Sequence, residues 1–284
     1  MKKHTLLLIG IMATISACSQ SVENGTAIGN YKIYTLSEGQ QQGNSSILLD
    51  ATPEMMAQAI PDGTFPNAVN AFLVQTPDKN ILVDAGFGRL LFDNLKSIGL
   101  TATQIDVVLL THLHGDHIGG LLKNGKITFP NAQIYIAKSE RDYWAKTDNA
   151  LALNVLKAYE KQIVLFEPND LGNIKTALFA GITPIAAFGH TPGHTAFLVE
   201  SDSDKLLIWG DLTHAMAIQM PFPQVAVTYD INPKEAVTTR QAILKFVAEN
   251  HIRIAGMHIA APSIGKIEAK GDGFEFVSAD EIGE

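Results

Sequence analysis

Three histidines and one aspartate lie within residues 111–117, which read THLHGDH. Imidazole nitrogens and carboxylate oxygens are donors that Zn²⁺ accepts readily, and an HxHxDH turn can contribute ligands to two ions. The alternative is an ordinary polar turn in which Asp116 caps a helix. Three histidines this close together are unusual for such a turn, so we favour a metal site. The rest of the chain must then supply further ligands.

The elements around this turn place it where α/β proteins bind ligands. The preceding residues 105–110 are short, continuous and rich in β-branched side chains, which is typical of a buried strand. Residues 118–122 are predicted to open a helix. The turn therefore lies at the carboxyl end of a strand, the edge at which open α/β sheets bind their ligands.

Further candidate ligands lie just past other predicted strands. These are His194 in the sequence GHTPGH, Asp211 after a strand over 205–209, and His258. Three imidazoles and a shared carboxylate suit one Zn²⁺, while Asp116, two imidazoles and the same carboxylate suit a second. A pair of ions can activate water and clamp the attacked and leaving oxygens, and Mn, Fe or Co can occupy similar sites. The candidate ligands are His112, His114, Asp116, His117, His194, Asp211 and His258.

Three other polar residues near these positions have different expected roles. We expect His190 to be a structural hydrogen-bonding residue of the GHTPGH turn and not a ligand. His214, three residues past Asp211, is a candidate for the substrate pocket. Asp84 follows a predicted strand, so it either accepts a hydrogen bond from a metal-bound imidazole or caps the following loop.

Composition limits the classes of protein and of partner. The chain has 284 residues, 46% of them hydrophobic, which is enough for a large core. With a net charge of −8, we do not expect a nucleic-acid footprint, and adsorption to anionic lipid is disfavoured. A single cysteine excludes an intramolecular disulfide. Strands and helices alternate in two halves, 30–160 and 161–284, without a linker, so we predict one α/β domain over 30–284.

The first residues predict export. Residues 1–17 begin with basic side chains and continue with an apolar stretch that is too short to span a bilayer, as in a signal peptide. The sequence ISACS resembles a bacterial lipobox, so Cys18 would be lipidated and would alone attach the protein to the outer membrane in the periplasm. The alternative is a signal peptide cut near Ala17 that leaves a free thiol. Residues 18–29 are polar and small and are predicted to be a tether.

The motifs together resemble those of the metallo-β-lactamase superfamily, and the resemblance covers nearly all of residues 67–277. It implies an αββα sandwich, in which two mixed β-sheets are flanked by helices and the metals lie at one edge of the sheets. It also implies two zinc ions with a definite set of ligands. One ion would be held by His112, His114 and His194, the other by Asp116, His117 and His258, with Asp211 bridging the two.

Within the superfamily, the chain resembles the methyl parathion hydrolase group with its lactonase and arylesterase relatives. In that group, aromatic side chains wall the leaving-group pocket. Trp144 matches one of them and Phe87 is a candidate for another, with core packing as the alternative. The aspartate at position 211 argues against a true β-lactamase, which typically lacks it. The stretches that carry the resemblance are NAFLV (70–74), LVDAG (82–86), FPNA (129–132), DYW (142–144) and AAPSIG (260–265).

The sequence therefore predicts a metal-dependent hydrolase of lactones or aryl esters, with promiscuous organophosphate triester hydrolysis implied by the resemblance. Asp211 would bridge the ions, and Asp116 would pass a proton to the leaving group. One rival is a β-lactamase or a glyoxalase II-like thioesterase on the same centre. The other is a zinc-binding lipoprotein without catalysis, although a carrier does not need an open two-metal site. The oligomeric state stays open; relatives are often homodimers.

Overall fold

The computed structural model describes residues 25–179 and 181–278. The predicted signal peptide and Cys18 lie outside the described residues. The predicted tether is wrong at its end, because Thr26–Ile28 form a strand paired with Tyr31–Ile33 and the Ile28 side chain is fully buried. The domain therefore begins by residue 26 instead of at residue 30. No helix in the described ranges is long and apolar enough to cross a membrane.

The strands of the described ranges, in chain order, are β1 (Thr26–Ile28), β2 (Tyr31–Asn44), β3 (Leu48–Leu49), β4 (Thr64–Gln75), β5 (Asn80–Val83), β6 (Val107–Leu109), β7 (Leu122–Lys123), β8 (Lys126–Ile127), β9 (Gln133–Ala137), β10 (Ile163–Phe166), β11 (Ile182–Ala186), β12 (Thr195–Ser201), β13 (Asp204–Ile208), β14 (Ala226–Val227), β15 (Arg253–Ala255), β16 (Ile264–Lys270) and β17 (Gly273–Ser278). The α-helices are α1 (Pro53–Ala59), α2 (Leu91–Ser97), α3 (Gly115–Ile118), α4 (Lys138–Trp144), α5 (Ala150–Ala158), α6 (Met216–Gln219) and α7 (Pro233–Glu249). Short 3₁₀ helices cover Ser45–Ile47, Ala102–Gln104 and Gly119–Leu121.

Two mixed sheets form the centre of the fold. The first has seven strands in the order β1-β2-β4-β5-β6-β9-β10, and the second has six in the order β11-β12-β13-β15-β16-β17. Strands β5, β6, β9 and β10 run parallel to one another, as do β13 and β15, and the other neighbours are antiparallel. The first sheet comes from residues 26–166 and the second from residues 182–278, so the boundary between the halves lies a little later than the predicted 160/161. The predicted αββα sandwich is confirmed.

Apolar side chains hold the layers together. Between the sheets, Phe72 of β4 and Phe197 of β12 belong to one fully buried cluster. On the outer face of the first sheet, α2, α4 and α5 pack through residues such as Val155. Helix α7 covers the second sheet through Ile243 and Leu244. Each sheet therefore has both faces covered, which accounts for strand sequences that are apolar on both sides.

Strand β2 is longer than the sequence indicates. Residues 37–46 are rich in Gln, Gly, Ser and Asn, and we expected a loop there. Instead β2 continues to Asn44 and pairs with β4 throughout, with a bulge between Ser37 and Gln40. The long apolar strand β4 provides the partner, so tertiary pairing overrides the local preference. This extension brings Gln41 and Gln42 to the wall of the candidate site.

Candidate metal centre

The HxHxDH residues lie at the carboxyl end of β6, as predicted. The strand ends at Leu109, and α3 begins at Gly115, three residues earlier than the predicted helix. Asp116 and His117 therefore lie in the first turn of α3, while His112 and His114 lie in the loop before it. His112 and His117 are buried, whereas the Asp116 side chain keeps 23% of its surface exposed.

Four donor groups converge in a first cluster. Nδ1 of His114 lies 2.9 Å from Nε2 of His112 and 2.9 Å from Nε2 of His190. Oδ2 of Asp211 lies 3.3 Å from the His190 nitrogen and 3.6 Å from the His112 nitrogen. Each residue presents one ligand atom, and all four atoms lie within 4.8 Å of one another. Three imidazoles and a carboxylate in this arrangement suit one divalent ion.

A second cluster shares Asp211 with the first. Its Oδ1 lies 3.1 Å from Nε2 of His117, and its Oδ2 lies 3.2 Å from Nε2 of His258. Oδ2 of Asp116 completes the group at 3.5 Å from His258 and 3.7 Å from His117. The predicted convergence of Asp116, His117, His258 and Asp211 is therefore present in the fold. Asp211 belongs to both clusters, so its carboxylate could bridge two ions.

The structure reverses the predicted roles of the two histidines in GHTPGH. His190 points Nε2 into the first cluster, whereas both ring nitrogens of His194 are already used. Nδ1 of His194 donates to the Ala187 carbonyl at 2.8 Å, and Nε2 accepts the backbone N–H of Asp211 at 2.9 Å. Predicting His194 as a ligand was wrong, because a ring with both nitrogens engaged has no lone pair to offer a metal. His194 instead fixes the backbone of Asp211.

The residues present fit divalent ions. Nε2 of His117 and Oδ1 of Asp211 are buried, face each other, and lack a hydrogen-bond partner of acceptable geometry in the described part of the chain. Buried polar atoms without partners are costly, and a cation between these atoms and their neighbours would satisfy both. His112, His114, His190 and Asp211 would hold one ion, and Asp116, His117, His258 and Asp211 the other.

Acceptors behind the clusters orient several of the imidazoles. Nδ1 of His117 donates to Oδ2 of Asp84 at 2.6 Å. Of the two roles expected for Asp84, the structure therefore shows the hydrogen bond to an imidazole of the cluster. Nδ1 of His190 lies 2.9 Å from Oδ1 of Asp230, and Nδ1 of His258 lies 2.9 Å from the Ala68 carbonyl. Such partners fix the tautomer and direct the other ring nitrogen toward a metal.

The charges of the centre favour metal ligation. Burial would raise the pKa of Asp211, but the surrounding imidazoles, His117 foremost, hold it well below its usual range. Burial, helped by His190, lowers the pKa of His114 to about 3. Burial would also lower the pKa of His190, but Asp211 and Asp230 raise it to about 9. Asp211 is therefore ionised and His114 neutral, and an ion would displace one proton from His190.

A cavity of about 670 Å³ opens onto the two clusters. Asp116, Asp211, His114 and His258 line its floor, and His214 lines it as predicted, with Nε2 3.0 Å from Asp211 Oδ2. The walls combine apolar, aromatic and amide side chains. They include Gln41, Gln42, Asn44, Ile47, Asn67, Val69, Phe87, Arg89 and Tyr229.

The two predicted aromatic residues occupy different places. Phe87 is 42% exposed and lines the cavity, with the Arg89 guanidinium 4.5 Å from the centre of its ring. Trp144 is only 7% exposed, packs edge-on against His114, and donates its indole N–H to Glu140 at 2.6 Å. Trp144 is not among the residues that line the cavity, so its position favours the core-packing alternative.

Some residues of the site have no recognisable signal in the sequence. Asp230, which lies behind His190, follows a short strand and has no motif around it. Tyr229 and the amides of β2 line the cavity from segments without a recognisable pattern. His190 had a usable signal, because it belongs to the same GHTPGH turn as His194.

This fold and this pair of clusters define a class of protein. The sequence matches the metallo-beta-lactamase superfamily over residues 64–256, which is more than half of the chain. The chain therefore belongs to the metallo-beta-lactamase superfamily, and it is a metal-dependent hydrolase of that fold.

Two solved structures resemble the chain over most of its length. AidC, a dizinc quorum-quenching lactonase in complex with a product, superposes with a TM-score of 0.82 at 26% identity, covering 90% of this chain and 96% of AidC. The hydrolase AbOPH of the beta lactamase superfamily superposes with a TM-score of 0.80 at 26% identity, with the same coverage of 90% and 96%.

Curated sequences give further matches. The uncharacterized protein YobT of Bacillus subtilis is 30% identical over 192 residues, which are 62% of this chain and 77% of YobT. The N-acyl homoserine lactonase AttM of Agrobacterium fabrum is 29% identical over 123 residues, which are 41% of this chain and 44% of AttM. Lactonases are therefore found among both the sequence and the structure matches.

Proposed function

We propose that this protein is a dinuclear-metal hydrolase that cleaves lactones or aryl esters. The observation that carries the proposal is the position of Asp211, whose carboxylate belongs to both donor clusters at the floor of a cavity open to small molecules. The similarity to AidC, which is a dizinc lactonase, supports both the number of ions and the substrate class.

The residues of the metal centre have different roles in the proposed hydrolysis. Divalent ions, when bound, would supply a water of lowered pKa and a Lewis acid for the attacked carbonyl. Asp211 holds the two clusters together and contributes negative charge to both. Asp116 is ionised, because His117 and other neighbours lower its pKa although burial acts in the opposite direction. Its partly exposed carboxylate faces the cavity, so it can take a proton and deliver it to the leaving oxygen.

The walls of the cavity suit an ester that has an apolar part and a hydrogen-bonding part. Phe87 and Val69 offer apolar surface, whereas Gln42 and Asn44 offer amide groups that can donate and accept hydrogen bonds. An acyl or aryl group would lie against the first surface, and an amide or carbonyl of the substrate would contact the second. N-acyl lactones and aryl esters both have this composition.

A substrate panel tests the proposal. The full-length protein is loaded with Zn²⁺, its metal content is measured, and turnover is followed on dihydrocoumarin, phenyl acetate, an acyl homoserine lactone and paraoxon. We expect the highest kcat/KM on a lactone or on phenyl acetate, and a lower value on paraoxon, which represents the methyl parathion hydrolase group. Manganese-, iron- and cobalt-loaded samples identify the metal that supports the highest rate.

The rival functions predict other outcomes of the same assay. A cephalosporin or a glutathione thioester hydrolysed faster than every lactone and ester would contradict the proposed substrate class and indicate a β-lactamase or a thioesterase. Uptake of two ions without turnover on any substrate would indicate a zinc-binding protein without catalysis. Size-exclusion chromatography with light scattering on the same sample tests whether the protein is a homodimer.

We also propose that the protein is an exported lipoprotein of the bacterial periplasm, attached to the outer membrane through a lipid on Cys18. The support is the basic start, the short apolar stretch and the lipobox-like ISACS. Mass spectrometry of the mature N-terminus should find a diacylglyceryl-modified cysteine, and Cys18→Ser should release the protein from the membrane fraction. An unmodified N-terminus near residue 18 would indicate the ordinary signal peptide instead.

A further inference from the structure

A buried carboxylate outside both clusters joins the two segments that supply the imidazoles of the first cluster. Oε1 of Glu140 accepts the backbone N–H of Leu113 at 2.9 Å, and Leu113 lies between His112 and His114. Oε2 accepts the backbone N–H of Gly193 at 2.9 Å and the Thr191 hydroxyl at 2.6 Å, both in the GHTPGH turn that contains His190. One side chain thus holds both backbone segments that carry the three imidazoles of the first cluster.

We propose that Glu140 is the positioning residue of the first metal site, setting the distance between the His112–His114 loop and the His190 turn. The inference rests on the proposed two-ion function and goes beyond it by assigning the geometry of one site to a residue that touches no ion. Glu140 itself is 1% exposed, so water does not compete for its hydrogen bonds.

The packing around Glu140 shows how closely the turn is pressed onto α4. A Cβ atom added to Gly193 would lie 2.2 Å from the Glu140 backbone nitrogen, so only glycine allows this approach. With the backbones in contact, the length of the glutamate side chain fixes where the Leu113 and Gly193 amides lie. A change in this side chain should therefore shift the two backbone segments that carry the imidazoles of the first cluster.

Glu140 also contacts the first cluster indirectly, through the side chain of Trp144. Its indole N–H donates to the same oxygen that accepts from Leu113, at 2.6 Å, and its ring contacts the His114 imidazole edge-on with centroids 5.4 Å apart. The carboxylate therefore fixes both the backbone beside His114 and the aromatic ring that limits the rotation of its side chain.

The second cluster has different supports. His117 is held by Asp84, and His258 by the Ala68 carbonyl. None of the four groups that Glu140 accepts from belongs to a residue next to Asp116, His117 or His258. Of these four residues, Gly193 has an indirect link to the second cluster, because it precedes His194, whose Nε2 accepts the backbone N–H of the shared Asp211. Loss of the carboxylate should therefore weaken the first site much more than the second. This selectivity separates a positioning role from a general contribution to stability.

Glu140→Gln is the sharpest test, because glutamine has the same shape. Whichever way its amide is turned, the NH₂ group faces a backbone N–H, either that of Leu113 or that of Gly193, and repels it. We expect an affinity of the first site for Zn²⁺ lower by about 10- to 100-fold, the range typical of lost supports around metal ligands. At limiting free Zn²⁺ the variant should bind one ion where the wild type binds two, and kcat should recover as Zn²⁺ is raised.

Tyr159→Phe is the matched control. Like the Glu140 carboxylate, the Tyr159 hydroxyl is buried and joins separate backbone segments. It donates to the Leu121 carbonyl and accepts the backbone N–H groups of Thr128 and Phe129. This variant should lose thermal stability yet bind two ions with wild-type affinity. Stability is measured on the metal-free proteins, so the loss of metal from Glu140→Gln is separated from the loss of fold.

Thr191→Val gives a second, milder variant if Glu140→Gln does not fold, because it removes one donor and keeps the shape. It should weaken the first site several-fold and leave the second unchanged. Either variant with wild-type affinity at both sites would overturn the role of Glu140. A wild-type protein that binds fewer than two ions would contradict the proposed function itself, and with it the site that Glu140 is proposed to set.

Discussion

Asp230 lies directly behind His190, with its Oδ1 2.9 Å from Nδ1 of the imidazole, on the side away from the first cluster. The other carboxylate oxygen lies 3.8 Å from Nη2 of the buried Arg240, which in turn donates to the carbonyls of Leu212, Pro223 and Val225. This chain of contacts connects His190 to α7. These contacts hold the His190 imidazole in one orientation, although His190 lies in a turn.

Asp230→Asn should weaken the first metal site by about tenfold, because the amide keeps the shape but loses the charge that orients and polarises the imidazole. Isothermal titration of the metal-free protein with Zn²⁺ measures the effect. Asp142→Asn, which changes an exposed carboxylate on α4, is the control and should bind as the wild type does. Equal affinities of the Asp230 variant and the wild type would show that the pair is not a support of the site.

His190→Ala and His194→Ala should have opposite signatures. The first removes a cluster imidazole, so we expect one ion per chain and a loss of activity of several orders of magnitude. The second removes two buried hydrogen bonds, so we expect two ions but a free energy of unfolding lower by about 1–3 kcal/mol. Metal analysis and denaturant unfolding on both variants provide the comparison. If His194→Ala loses one ion and His190→Ala keeps both, then His194 is the ligand and His190 is not.

Phe87→Ala should raise KM for aryl esters about three- to tenfold with a smaller change in kcat, because the ring lines the cavity and Phe87 belongs to neither cluster. Trp144→Phe should behave differently, since Trp144 packs behind His114 and is hydrogen-bonded to Glu140. We expect it to lower metal affinity and stability and to leave KM nearly unchanged. Steady-state kinetics with phenyl acetate distinguish the two variants, and an unchanged KM in Phe87→Ala would exclude its role in the pocket.

Metal removal should affect both activity and stability. Dialysis against a chelator should abolish turnover, and addition of Zn²⁺ should restore it. Ions that bind only the folded state stabilise it, by about 2.7 kcal/mol for each site at a free concentration 100 times its Kd. Differential scanning calorimetry at increasing Zn²⁺ should therefore show a rising Tm. A Tm that does not change with Zn²⁺ would contradict binding at these clusters.

Much of the site could be predicted from the sequence because its ligands follow short apolar strands. Asp211 and His258 follow β13 and β15, which are neighbours in the second sheet, so their convergence could be expected from the common edge of one sheet. His112 follows β6 of the first sheet, so its approach to them also depends on how the two sheets pack. The two-half architecture was predictable for a related reason, because each half has its own run of apolar segments that can form a sheet.

The choice between His190 and His194 could not be made from spacing. His194 directly precedes β12, so its ring is directed by the strand into hydrogen bonds with Ala187 and Asp211. His190 follows Gly189, where φ is +119° and a Cβ atom would lie 2.1 Å from the Ala236 nitrogen of α7. That contact with a distant helix sets the direction of the turn, and a local pattern does not contain it.

The Gln-rich end of β2 was mispredicted, and the place of Trp144 could not be decided from the sequence, for the same kind of reason. Gln41 pairs with Asn67 only because β4 lies beside it, and local propensity alone favours a loop. Trp144 turns inward because Glu140, four residues earlier on α4, provides a buried acceptor for its indole N–H. A satisfied N–H allows a large amphipathic ring to be buried, and the sequence alone does not reveal the acceptor.

Anomalous diffraction at the zinc edge, from crystals of the metal-loaded protein, tests the central claim most directly. We expect two peaks about 3.5–4 Å apart, one on each side of the Asp211 carboxylate. One peak should lie among His112, His114 and His190, and the other among Asp116, His117 and His258. A single peak, two peaks that do not share Asp211, or a peak bound by His194 would contradict a two-ion centre of this composition.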